Sequence, residues 1–395
     1  MRPLASRLSV MSGEGALSVF ARAKELERQG RSIIHLELGE PDIHPAEPVI
    51  NALEKALRSG KDRYCTVAGV PALRDEIAQY LHRTRDLQVE GKNIVIAPGC
   101  KIILFLTMMA MIDPGDEVLY PEPGFPGYPS ITAGFGGVPV PYELSERRGF
   151  QADLEEIAAK ITPRTKAIIT CSPNNPTGTV YTDAVQRRIA ELAVKHDLYV
   201  LSDEIYARII YSDRYLSMLS YPGMPERTCI IDGFSKSFAM TGWRLGYAVA
   251  PPHIVEQLEL LVINTYTCVA EFTQYAAIEA LRDTTGATPR MVQQFAARRE
   301  QFVRELNQVP GFRCPAPDGA FYAWVNITST GLAAEEVCRV MLEEAGVAAI
   351  PGAAFGPSGR DFVRFSFASS NATLHEAVDR IQKASVAWQG TPAGR

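Results

Sequence analysis

The chain has 395 residues, 46% of them apolar, and its 40 basic and 45 acidic side chains leave a net charge of −5. That length exceeds one ordinary hydrophobic core and predicts two domains. The basic residues are dispersed without a dense block, which argues against a nucleic-acid partner, and no apolar run reaches the length of a membrane span.

The first thirty residues carry recurring charges and no apolar core of a secretion signal. Seven cysteines (Cys65, Cys100, Cys171, Cys229, Cys268, Cys314, Cys338), widely spaced and without a Cys-x-x-Cys pair, predict a reducing, cytoplasmic setting. The six histidines show no ligand spacing, so no metal site is expected.

Residues 18–29 read as an amphipathic helix ended by Gly30, and 33–38 as a short strand entering the turn GEPD, Gly39 to Asp42. Helices over 47–58 and 72–83 bracket the loop GKDRYCTVAGVP. Strand-like runs follow at 94–97, 117–121, 138–142, 166–171, 199–202, 228–231 and 245–250, with helical stretches such as 183–196 between them. Strands so continuous in apolar residues predict a largely parallel sheet covered by helices on both faces, with ligands bound beyond the strands' carboxyl ends. The stretch 283–289 reads as a hinge into a long helix over 290–307. Beyond it, strand-like 319–327, 347–351 and 361–367 alternate with helices over 333–344 and 373–388, a smaller α+β unit.

Chemistry concentrates in four places. Lys236 lies among small residues in GFSKSFAMTGWRLGY, placed to form an imine with a carbonyl cofactor, and Arg244 follows eight residues later, placed to hold an anion. In SPNNPTG, Ser172 to Gly178, Asn175 stands after a buried strand and can donate to a phenolate oxygen without bringing a charge. The strand of YVLSDEIYARIIY ends in Ser202-Asp203-Glu204; Asp203 either caps a following helix or, beneath a pyridine ring, keeps the ring nitrogen protonated, with Tyr206 one helical turn on. Gly99, Cys100 and Lys101 open a helix after a strand, where backbone N–H groups make an anion site. In isolation Lys236 reads first as a solvated loop lysine, and Cys100 as a small buried residue before a nucleophile.

The strings GEPD, SPNNPTG, SDEIY and SKSFAMTGWRLGY, in this order, resemble those of the pyridoxal-phosphate (PLP) dependent aminotransferases of the aspartate aminotransferase type, class I/II and fold type I, in their bacterial branch. The resemblance runs over about residues 8–381. It implies an α/β fold with a large domain, a mostly parallel seven-stranded sheet covered by helices, and a smaller α+β domain. The implied division is an N-terminal arm and part of the small domain over 1–45, the large PLP-binding domain over 46–285, and the small domain over 286–395.

The same resemblance implies the site. Lys236 would bind PLP as an imine and move the proton at the amino acid's α-carbon; Asp203 would pair with the pyridine nitrogen, and Asn175 and Tyr206 would bond the ring oxygen. Phosphate would fall to the backbone of Gly99, Cys100 and Lys101, to Arg244 and Ser235, and to Tyr64 of the second subunit of a homodimer. Phe125, in PEPGFPGYP, would stack on the ring. Arg364, in RFSFASS, with Gly39 and Asn175, would hold the substrate carboxylate. Without the resemblance Arg364 reads as a surface strand residue.

The implied activity moves an amino group between an amino acid and a 2-oxo acid in a ping-pong cycle. A β-lyase shares the same cofactor chemistry. A PLP-sensing regulatory module would need an attached DNA-binding domain, for which no room is expected. Cys100 and Lys101 stand where the family often has small or hydroxylated residues, and Phe125 where relatives have tryptophan or tyrosine. No second basic group for a distal carboxylate is evident, and Leu17, Val19, Phe125 and Tyr128 predict an apolar pocket suited to a neutral or aromatic donor.

Overall fold

The computed structural model describes residues 2, 4–211 and 215–386. Its strands are β1 (Ile34–His35), β2 (Ile94–Ala97), β3 (Glu117–Glu122), β4 (Val138–Glu143), β5 (Thr165–Cys171), β6 (Tyr199–Asp203), β7 (Thr228–Gly233), β8 (Gly246–Val249), β9 (Tyr322–Asn326), β10 (Val347–Ala348), β11 (Ile350–Pro351) and β12 (Phe362–Ser366). Seven of them form one sheet in the order β2-β8-β7-β6-β5-β3-β4. Only β8 runs against its neighbours, being antiparallel to both β2 and β7, while β7 through β4 pair in parallel. This is the mostly parallel seven-stranded α/β sheet that the resemblance implies.

Every residue of β2, β7 and β8 is buried, because helices cover both faces. The helix Asp183–Lys195 illustrates how the connections form: Thr182 caps it, its hydroxyl accepting from Val185 N at 3.3 Å, and Val185, Ile189, Ala190, Leu192 and Ala193 turn inward. Because β5, β6 and β7 are parallel, Cys171, Asp203 and Gly233 end them at one edge of the sheet. That edge is where the chemistry gathers.

The smaller sheet is antiparallel, β11-β12-β9, with Arg364 opposite Trp324 and Ser366 opposite Tyr322. β1 pairs in parallel with β10, Ile34 against Val347, and Ser366 N donates to Leu36 O at 2.7 Å, so the segment leading to Gly39 is built into this C-terminal unit. The helices Ala287–Leu306 and Asn371–Ala384 cover it through Phe295, Phe302, Leu374, Val378 and Ile381.

Four local expectations change. The run 347–351 is two strands in two sheets, since the chain turns at Ala349 from β10 to β11. The helix expected over 333–344 is Ala334–Val340 followed by a π turn, Met341–Ala345, closed by Gly346 in the left-handed region (φ +67°). The strand expected from 319 starts at Tyr322, after an isolated bridge at Gly319. No helix follows Asp203: residues 205–208 make a turn, and Asp203 Oδ1 accepts from Ile205 N at 3.3 Å. Trp388, the end of the last expected helix, lies outside the described residues.

Candidate active site

A cavity of about 300 Å³ opens at the carboxyl edge of the large sheet, between it and the antiparallel unit. Its lining brings together Gly39, Cys100, Lys101, Phe125, Asn175, Asp203, Tyr206, Ser235, Lys236, Arg244 and Arg364, residues drawn from segments more than 300 positions apart. Tyr64 is not among them; it stands outside, 86% exposed.

Lys236 follows β7 by three residues, and its amine donates to Gly39 O. Burial, with the charges of Arg364 and Arg244 adding to it, pulls the ammonium down from its usual range to about 8, while the Glu40 carboxylate acts the other way. A neutral amine is therefore accessible near neutral pH, as a nucleophilic lysine needs.

The anion cradle is built on absent side chains. Gly99 precedes the helix Cys100–Met111 in a conformation with φ +97°, which favours glycine, and a Cβ there would overlap the Arg244 guanidinium. Gly233 and Gly246 lie side by side across β7 and β8; a Cβ on either would come within 2.9 Å of Cys100, at its Sγ and backbone N respectively. The helix N-terminus can thus sit against the sheet beside Arg244, whose guanidinium donates to Thr241 O at 2.8 Å and Pro98 O at 3.4 Å. Burial and the neighbouring Asp203 push the Cys100 thiol well up, so it is a packing residue rather than a nucleophile.

Asp203 ends β6 with its carboxylate facing the cavity. Desolvation raises it to about 6, against the hydrogen bonds from Tyr128 and Ile205 N that hold it down. Phe125 lies edge-on to the Tyr128 ring at 5.5 Å, and a Cβ on Gly127 would overlap the Phe125 ring. Directly behind, Arg85 is buried between Glu204 (2.7 Å) and Asp232 (2.5 Å).

Arg364 is 4% exposed, not on the surface. Its guanidinium donates to Asn175 Oδ1 at 2.8 Å and Glu37 O at 2.6 Å, and lies 4.3 Å from the Tyr322 ring centre and 4.8 Å from that of Phe355. Its Nε is buried without a partner among the described residues. Because Asn175 accepts through Oδ1, its NH₂ is left to donate. Tyr206 and Tyr322 share a hydroxyl–hydroxyl bond of 2.7 Å.

Three further residues are not evident from the sequence. Tyr128 is no apolar wall; it is committed to Asp203, a role that its spacing of three residues from Phe125 alone hints at. Tyr322, in GAFY at the start of β9, touches both the Tyr206 and Arg364 sides. At the cavity mouth Lys101 pairs with Glu14 and stands 5.7 Å from the Phe125 ring centre. Val19 turns away, onto Ala23, Leu26, Leu342 and Ala348, whereas Leu17 does line the cavity, 58% exposed.

Residues 31–381 match the family model for aminotransferase class I and II. The chain belongs to that family. It is 39% identical over 388 residues to a probable aspartate/prephenate aminotransferase of Aquifex aeolicus (96% of this chain, 98% of the relative). It is 38% identical over 390 residues to an asparagine–oxo-acid transaminase of Streptococcus mutans (97% and 99%). In structure it is similar to the Thermus thermophilus aspartate aminotransferase solved with maleate: TM-score 0.93, 35% identity, 97% of this chain and 100% of that one. The protein is a PLP-dependent aminotransferase that passes an amino group between an amino acid and a 2-oxo acid in a ping-pong cycle.

The residues present fit that cofactor. A low-pKa amine, a cavity-facing carboxylate and a glycine-built cradle beside an arginine answer in turn to its carbonyl, ring nitrogen and phosphate, and Arg364, with a buried free N–H, is left for a substrate carboxylate.

Proposed function

We propose that this aminotransferase takes an amino donor with a neutral side chain, and that its residues divide the work as follows. Lys236 would hold the cofactor's carbonyl carbon and, set free when the donor's amine takes its place there, would take and return the proton at the donor's α-carbon. Asp203 would pair with the ring nitrogen, Asn175 and Tyr206 would bond the ring oxygen, and Phe125 would cover the ring face. The backbone of Gly99, Cys100 and Lys101, with Ser235 and Arg244, holds the phosphate. Arg364, Gly39 and Asn175 hold the donor's carboxylate. Bound PLP supplies an electron sink in conjugation with the α-carbon, which the ionised Asp203 strengthens.

The observation that carries the donor assignment is the ion pair of Lys101 with Glu14. Lys101 stands at the cavity mouth, and Glu14, lining the same cavity, takes up its charge and leaves a carboxylate there that would repel a second one on the donor. The names of the relatives favour a second reading, in which aspartate is the donor and Lys101 leaves Glu14 to receive it. Single-turnover loss of the bound cofactor's visible absorbance with a panel of amino acids decides between them: faster reaction with alanine, phenylalanine or asparagine than with aspartate supports the first, and the reverse order the second.

The homodimer belongs to the same proposal. Tyr64 projects into solvent, and in a second copy of the chain it would reach the phosphate cradle beside the exposed Arg244. The division into 1–45, 46–285 and 286–395 is part of the proposal, supported by the pairing of β1 with β10 and by the helix that starts at Ala287. A cytoplasmic setting suits seven cysteines that are all free.

A further inference from the structure

Tyr322 lies at the junction of the two halves of the site and has no role in the proposed division of work. We propose, resting on that division, that Tyr322 is a positioning residue that serves both halves at once: its hydroxyl orients the Tyr206 proton into the cavity, and its ring face seats Arg364 for the donor's carboxylate.

The role at Tyr206 comes from counting protons. The two phenols are 2.7 Å apart and buried, and the bond between them uses one of their two protons. If Tyr322 is the donor, the Tyr206 proton is free to point at an oxygen in the cavity; if Tyr206 is the donor, it has none to give. Ionisation offers no escape, because burial pushes both phenols above their ordinary range. A Tyr206 that bonds an oxygen in the cavity therefore requires Tyr322 to donate to it, and the edge-on packing of the two rings, 79° apart at 5.7 Å, holds that geometry.

The role at Arg364 comes from the ring. The Arg364 guanidinium carbon stands 4.3 Å from the Tyr322 ring centre, a cation–π distance in a desolvated place. Tyr322 opens β9 and Arg364 lies on β12, paired through Ser366 opposite Tyr322, so the strands set this contact. Gly39 completes the fit: a Cβ there would collide with the Tyr322 hydroxyl, so the glycine of GEPD gives the phenol room to reach Tyr206.

Two variants separate the functions. Tyr322→Phe keeps the ring and removes the hydroxyl, so the Tyr206 oxygen no longer accepts a hydrogen bond and its own O–H becomes a weaker donor. With a weaker donor at the ring oxygen, negative charge stays there and favours the protonated imine nitrogen, so the pH midpoint of the bound cofactor's visible absorbance rises, by about half a unit or more, with donor KM changed less than about threefold. Tyr322→Leu removes the ring as well, and KM rises about tenfold or more. Both proteins should keep the wild-type circular dichroism spectrum. An unmoved midpoint in Tyr322→Phe, or a KM in Tyr322→Leu no higher than in Tyr322→Phe, overturns the proposal. Wild-type protein that gives no visible absorbance with PLP would instead overturn the residue assignment beneath it; the two failures are distinguishable.

Discussion

The Tyr128 hydroxyl donates to Asp203 Oδ2 at 2.7 Å, and both groups sit at the floor of the cavity beneath Phe125. This bond opposes the desolvation that would otherwise neutralise the carboxyl. Replacing Tyr128 by Phe removes the donor and keeps the ring that Phe125 packs on. The expected result is PLP affinity weakened about tenfold, in line with a lost hydrogen bond to a buried charge, measured by titrating apoprotein with PLP. Unchanged affinity would mean that Tyr128 only fills space.

The pH dependence of cofactor capture follows from two shifted groups. Asp203 is ionised above about 6, so equilibrium binding of PLP to apoprotein should be strong above that pH and fall away below it. Lys236 becomes a free amine as pH rises through about 8, so the rate of attachment should climb across that range and then level off. Stopped-flow absorbance on apoprotein reads both. A rate that climbs only above pH 10 would show Lys236 to be an ordinary exposed lysine.

Arg85 bridges the buried Glu204 and Asp232, all three side chains no more than 4% exposed. Arg85→Met leaves two carboxylates uncompensated behind the site. We expect a loss of roughly 3–5 kcal/mol in urea unfolding. A loss below about 1 kcal/mol would mean that the carboxylates are neutral in the folded protein.

Glu14→Ser should release Lys101 to meet an acidic donor. The ratio of kcat/KM for aspartate to that for a neutral amino acid is expected to rise about tenfold, the worth of one charged hydrogen bond. A falling ratio would place Glu14 on the side of acidic donors and reverse the assignment.

Much of this is legible in the sequence because of burial. Strands covered on both faces are nearly unbroken apolar runs, so β2, β5, β6, β7 and β8 can be placed to within a residue or two, and the sheet's parallel character with them. The strand ends then locate Asp203 and the loop of Lys236 at one edge. Other features depend on contacts between distant segments. Arg364 stands between phenylalanines on a strand where it reads as a surface residue, and nothing local says that Asn175, Glu37 and Tyr322 enclose it. Tyr128 reads as apolar until Asp203 is brought to it, and Val19 reads as pocket lining until the helix Gly15–Arg28 turns it onto Leu342. The turn after Asp203 reads as helical because Glu204 to Ile209 carries helix-compatible spacing; the burial of Glu204 against Arg85 and Ser217 overrides it.

The central claim is that Lys236 carries the cofactor. Borohydride reduction of the PLP-loaded protein, followed by peptide mass spectrometry, tests it most directly. The expected result is a pyridoxyl adduct on the peptide containing Lys236, and neither adduct there nor transamination in Lys236→Ala. An adduct on a different lysine in the wild-type protein, or full transamination by Lys236→Ala, would contradict it.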